Sequence, residues 1–113
     1  MDCLFCKIAT SQIPAQLIYQ DEHIVAFNDI TPQAPHHVLI IPRKHIETIN
    51  DILDSDNNLI GNMMLVAKKI AHDVKIADNG YRVLMNCNKD GGQAVYHIHF
   101  HLLGGRQMQW PPG

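Results

Sequence analysis

The sequence has 113 residues, 46% of them apolar, with six prolines and seven glycines, which suits a single domain with a modest core. Nine Lys and Arg against eleven Asp and Glu leave a formal charge of −2 with no basic run, so no electrostatic nucleic-acid footprint is expected. No stretch approaches the roughly 18 apolar residues of a membrane span and the N-terminus carries no basic leader, so the expected location is cytoplasmic. Cys3 and Cys6 are close and Cys87 is distant, an odd set that fits reduced thiols better than a disulfide framework. A chain this small gains burial by pairing with its own copy, and a twofold homodimer is the expected assembly.

In chain order, residues 3–10 predict a short helix that Ile13-Pro14 breaks. Two brief apolar runs, 17–19 and 24–27, read as a hairpin. The β-branched run 37–41 predicts a strand ended by Pro42, which cannot donate to a ladder. Residues 55–76 carry the one long helical period, with Leu59, Met63, Val66, Ile70 and Val74 on one face and Ser55 as a plausible but imperfect cap. Ile60, Met64, Ala67 and Ala71 widen that stripe, either as further core or as a row offered to a partner subunit. Asn79-Gly80 introduces a strand over 81–87, residues 88–92 form a turn, and a last strand covers 96–103. The sum is an α+β domain with about five mostly antiparallel strands, one long helix and a short N-terminal helix.

The most informative segment is His97-Ile98-His99-Phe100-His101-Leu102, where His and large apolar residues alternate strictly. Alternation at period two places the three imidazoles on one face of a strand and the apolar residues on the other. A lone strand histidine is usually a satisfied polar residue, but three adjacent titratable rings serve no structural purpose. Neighbours two apart lie roughly 6.6 Å from each other, so the three rings cannot share one small atom and His97 is free for a separate task. Just upstream, Asp90-Gly91-Gly92-Gln93-Ala94 supplies consecutive glycines whose amides suit an anion nest. Together these features suggest phosphate chemistry, in which a neutral imidazole attacks phosphorus while amides hold the oxygens and a second His manages protons.

His97-x-His99-x-His101 followed by two apolar residues resembles the signature of the histidine-triad (HIT) superfamily. The segment from Leu102-Leu103-Gly104-Gly105-Arg106 to Trp110-Pro111-Pro112-Gly113 is similar to the Hint branch in particular, as are residues 27–35 and 40–45. The resemblance implies a HIT-like fold paired into a twofold dimer, and hydrolysis of purine nucleoside 5'-phosphoramidates through a nucleotidyl-histidine intermediate. By the same resemblance His99 is the nucleophile, His101 contacts phosphate, and His37 orients the nucleophile through its other nitrogen. Asn86, Gly92 and position 94 contact phosphate, Asp29 accepts from ribose hydroxyls, and Phe5, Ile8, Phe27, Ile30 and Leu39 wall a pocket for AMP or GMP. Residues 1–113 then form one HIT domain whose tail, 107–113, brings Trp110 to the partner's active site. Ala94 departs from the pattern, because many Hint proteins carry Ser there. Losing one neutral hydrogen bond, about 0.5–1.5 kcal/mol, should reduce activity rather than abolish it.

Cys3-x-x-Cys6 is half of a zinc site that His45 and His97 can complete, as in several HIT proteins; the alternative is two inert buried thiols. The metal so implied is structural, and no catalytic cofactor is expected, since neither a carboxylate cluster nor an HExxH motif accompanies the triad. Two other functions compete: dinucleoside polyphosphate hydrolysis or nucleotidyl transfer, as in other HIT branches, and non-catalytic nucleotide binding. Gly104-Gly105-Arg106 and Trp110 weigh against the first, and the set His37, His99 and His101 against the second.

Overall fold

The computed structural model describes residues 3–113. In chain order it contains α1 (Leu4–Ala9), β1 (Leu17–Gln20), β2 (Ile24–Asn28), β3 (His36–Pro42), α2 (Asn57–Asp73), β4 (Tyr81–Leu84), a one-turn α3 (Asn88–Gly91) and β5 (Phe100–Gly104), with two 3-10 turns at Ile49–Asp51 and Asp54–Asp56. The five strands form one antiparallel sheet in the order β1-β2-β3-β5-β4. The α+β reading with one long helix and a short N-terminal helix is therefore what the chain adopts.

Both faces of the central strands are covered, and the period-two alternation of β2 and β3 divides their side chains between two cores. Ile24, Ala26, Val38, Ile40 and Leu102 meet Met63, Val66, Ala67, Ile70 and Ala71 of α2. Val25, Phe27, Leu39 and Ile41 meet Cys3, Phe5, Ile8 and Ala9 under α1. The second stripe of α2 is split. Ala67 and Ala71 belong to the core and Ile60 packs on its edge, whereas Met64 is 46% exposed.

The ends of α2 differ from the predicted 55–76. Ser55 is no cap; the buried Asp56 accepts the Leu53 N–H at 2.9 Å and pairs with Lys44 at 2.6 Å. At the other end Lys75 turns left-handed with φ 64°, which lets the Ile76 N–H reach back to the Ala71 carbonyl at 3.0 Å. This stop motif usually takes glycine at that position, and here buried Ile76 supplies the hydrophobic contact that accompanies it. Ile76 also packs closely over Gly104, where a Cβ would lie 2.5 Å from its Cδ1 and force the buried Ile76 side chain to shift.

The last strand is shorter than predicted. β5 begins at Phe100, and residues 96–99 approach it as an irregular segment whose Ile98 N–H bonds Ile46 rather than the ladder. His97 and His99 therefore precede the strand, and only His101 lies in it. β4 likewise stops at Leu84, the residue paired with His101, instead of running to 87.

Candidate active site

The register of β3 against β5 pairs Leu39 with His101 and His37 with Leu103, so His37 and His101 sit diagonally on the α1 side of the sheet. The His37 Nε2 and His101 Nδ1 atoms are 2.9 Å apart, and the His99 and His101 ring centroids 4.9 Å. His37 and His99 are buried and His101 is half-buried at the rim.

Main-chain groups determine which nitrogens carry protons. The Gln33 N–H donates to His37 Nδ1 at 3.1 Å, so the neutral His37 ring holds its proton on Nε2 and gives it to His101 Nδ1. His101 must then carry its own proton on Nε2. His99 is set the other way, because its Nδ1–H donates to the His97 carbonyl at 2.8 Å and leaves Nε2 as a bare lone pair. Burial favours these neutral forms. It lowers the affinity of His37 and His99 for a second proton, and burial followed by the adjacent His99 and His37 rings pushes His101 down to about 4. A neutral ring with a free lone pair and a neutral donor ring therefore lie side by side.

This geometry corrects the role expected for His37. The group on the far nitrogen of His99 is the His97 carbonyl; the hydrogen bond of His37 is to His101. Asp29 stands beside the pair, with one carboxylate oxygen 3.6 Å from His37 Nε2 and the other accepting the Thr31 N–H at 2.8 Å. Phe5, Ile8, Phe27 and Leu39 are gathered into one apolar wall, Phe5 meeting Phe27 edge-on at 5.5 Å. Ile30 is not part of that packing and is 98% exposed.

The loop before β5 differs from an open amide nest. The N–H groups of Gly92 and Gln93 bond the Lys89 and Asn88 carbonyls at 3.0 Å each. Gly92 is required for its φ of +78°, and the space where a Cβ would stand is open. The buried Gln93 amide braces the loop: it accepts the Asn88 N–H at 2.9 Å and donates to the Glu47 and Val95 carbonyls at 2.7 and 3.1 Å. Asn86 is half-buried and Ala94 exposed. Trp110 is 82% exposed, on a tail tied back where Arg82 donates to the Gln109 carbonyl at 2.9 Å.

His97 turns away from the other rings into a second cluster with Cys3, Cys6 and His45, whose four ligand atoms lie within 4.8 Å of one another. The separations are 3.2 Å between the two Nδ1 atoms, 3.3 Å from Cys6 Sγ to His45, and 3.5 Å from each sulfur to His97. Tetrahedral zinc with bonds of about 2.0 Å to nitrogen and 2.3 Å to sulfur requires edges of roughly 3.3 and 3.5 Å, so the set fits that ion. The His97 Nε2–H donates to the Pro42 carbonyl at 2.7 Å, which aims the Nδ1 lone pair into the cluster. The main-chain contributions of Gln33, Pro42 and His97 carry no side-chain signal and are invisible in the sequence.

An antiparallel sheet presenting oriented, neutral histidines at the end of a buried apolar wall defines a histidine-triad protein. The chain belongs to the HIT domain family, which matches residues 10–108. It is 50% identical over 107 residues to the purine nucleoside phosphoramidase of Escherichia coli (strain K12), covering 95% of this chain and 90% of that protein. A crystal structure of a HIT family hydrolase from Legionella pneumophila Philadelphia 1 superposes with a TM-score of 0.98 at 58% identity, covering 99% of this chain and 100% of that one. A histidine triad protein from Clostridium difficile gives 0.94 at 42% identity, covering 96% and 95%. Among the described residues no helix is long and apolar enough to cross a membrane.

Proposed function

We propose that the chain hydrolyses purine nucleoside 5'-phosphoramidates, with AMP or GMP bound against the apolar wall and an amine as leaving group. The observation that carries this reading is the tautomer set on His99, whose Nε2 is left as a free lone pair on a ring 4.9 Å from that of the His101 donor. His99 Nε2 attacks phosphorus and the P–N bond breaks, its electron pair leaving on the amine nitrogen, which takes a proton from solvent that the hydrolytic water returns in the second step. Water then cleaves the nucleotidyl-histidine, releasing the nucleotide and the neutral ring. The Nε2–H of His101 stabilises the phosphoryl oxygens as charge develops, Asp29 holds the ribose hydroxyls, and Asn86 with the loop at Gly92 and Ala94 contacts phosphate. No catalytic cofactor enters this route.

The supporting framework is a homodimer of one HIT domain per chain, working in the cytoplasm. Residues 107–113 carry Trp110 to the partner's leaving-group side, which gives an 82% exposed indole an apolar surface to cover. Cys3, Cys6, His45 and His97 hold structural zinc. Hydrolysis of a fluorogenic AMP phosphoramidate by the wild type, and its loss in His99→Ala with AMP binding retained, tests the assignment. Activity of the variant within about tenfold of wild type, a barrier change of only about 1.4 kcal/mol, overturns it.

A further inference from the structure

The two histidine clusters are joined at one residue. His97 is fully buried; its ring faces Cys3, Cys6 and His45, while its carbonyl accepts the proton that defines the tautomer of His99. A second link runs through α1, where Phe5 lies in sequence between the two cysteines. Its ring meets His97 edge-on at 6.0 Å and His99 at 5.0 Å. The four ligands come from three places remote in sequence, so closing the cluster ties the His97 main chain and the Phe5 segment together, beyond the separate hydrogen bonds of His97 to Pro42 and Ile98 to Ile46.

We infer that the Cys3–Cys6–His45–His97 cluster positions the nucleophile: metal binding there holds the His97 carbonyl and Phe5 where they keep the His99 proton on Nδ1. The inference rests on the proposed roles of His99 and of the metal, and adds a coupling between them. Opening the cluster frees the carbonyl to move, and His99 then also populates the tautomer with its proton on Nε2, which has no lone pair for phosphorus. Binding of the nucleotide is affected less, since Asp29, Phe27 and Leu39 lie outside the segment that carries Phe5 and the two cysteines. His45 is the residue through which to test this, since its ring meets Cys6 and His97 of the cluster and it has no proposed part in the chemistry or in nucleotide binding.

The test compares zinc-loaded wild type, chelator-treated wild type, His45→Gln and His45→Cys. Zinc content, fold by circular dichroism, imidazole tautomers by long-range proton–nitrogen NMR without substrate, and kcat and KM are measured on each. Loaded protein should show His99 as the single Nδ1–H form. Stripped protein and His45→Gln should show both tautomers and a kcat lowered about tenfold or more, with a smaller rise in KM from the loosened Phe5, as expected for a misplaced reacting group. His45→Cys, which keeps four ligands, should restore zinc, tautomer and rate. Folded metal-free protein that keeps the single tautomer and full kcat overturns the coupling while leaving the nucleophile assignment standing. Protein that never binds zinc overturns the metal reading as well. Should stripping unfold the chain, cadmium in place of zinc must shift the His99 ring resonances by lengthening the same bonds; unmoved resonances overturn the inference.

Discussion

Replacing His37 with Phe keeps a planar ring of similar volume in a site that is 5% exposed, and removes both nitrogens. Two hydrogen bonds disappear, from the Gln33 N–H and to His101 Nδ1. If only the tautomer lock on His101 is lost and the two neutral forms become equally populated, the competent fraction halves, a barrier increase of about 0.4 kcal/mol. If His101 loses its orientation altogether, the upper limit is the whole hydrogen bond to a charged oxygen, about 1.5–3 kcal/mol, or roughly tenfold to 150-fold. His37→Phe should therefore cost between about twofold and the full effect of His101→Ala. The sharper expectation concerns the pair. Because His37 reaches the substrate through His101, His37→Phe in a His101→Ala background should change kcat/KM by less than about twofold. The assay is steady-state hydrolysis of a fluorogenic AMP phosphoramidate by the four proteins of the cycle. Additive losses would show that His37 acts on His99 directly, as the family resemblance alone suggests, and would refute the tautomer relay.

Other outcomes follow from the same structure. The imidazole of His101 has its ordinary value of 6.5 in the unfolded chain and about 4 in the fold, so its contribution to stability is complete above pH 6.5 and lost as pH falls towards 4; urea titrations across that window should decline less steeply in His101→Ala, and identical slopes would contradict the shift. Met63→Ala removes a fully buried side chain between α2 and the sheet and should cost about 2–5 kcal/mol by denaturant unfolding. Elemental analysis should find one zinc per chain, lost in Cys3→Ser/Cys6→Ser, which melts earlier yet retains measurable turnover; a metal-free wild type of equal stability would return both thiols to an inert role. Deleting residues 107–113 should leave AMP binding and the dimer intact but change the ratio of specificity constants for aromatic and small aliphatic amines, with light scattering as the control; an unchanged ratio removes Trp110 from the site.

Much of the fold was legible because its elements are strongly periodic. The β-branched run that became β3 and the 3.6-residue stripe of α2 were visible without tertiary information. Boundaries were less so, for physical reasons that lie far away in the chain. Residues 96–99 read as strand by alternation, yet the Ile98 N–H is claimed by Ile46, and the ladder cannot begin until Phe100. The α2 stop at a left-handed Lys75 was hidden because the residue type gives no signal for that conformation; the contact of Ile76 with the core determines it.

The site divides along the same line. The side chains proposed for chemistry were readable: the histidine alternation singled out the rings, and Cys3-x-x-Cys6 with two histidines is a set that the fold brings together. What the alternation could not reveal is the state of each ring, since an imidazole becomes nucleophile or donor only when its other nitrogen is engaged. In this chain those partners are the Gln33 amide, the His97 carbonyl and the His37 ring. Two are main-chain groups that any residue could supply, so only folding assigns them. The consequence is that His99 and His101, two positions apart and chemically identical, hold opposite tautomers: one keeps a free lone pair on Nε2 and the other a proton.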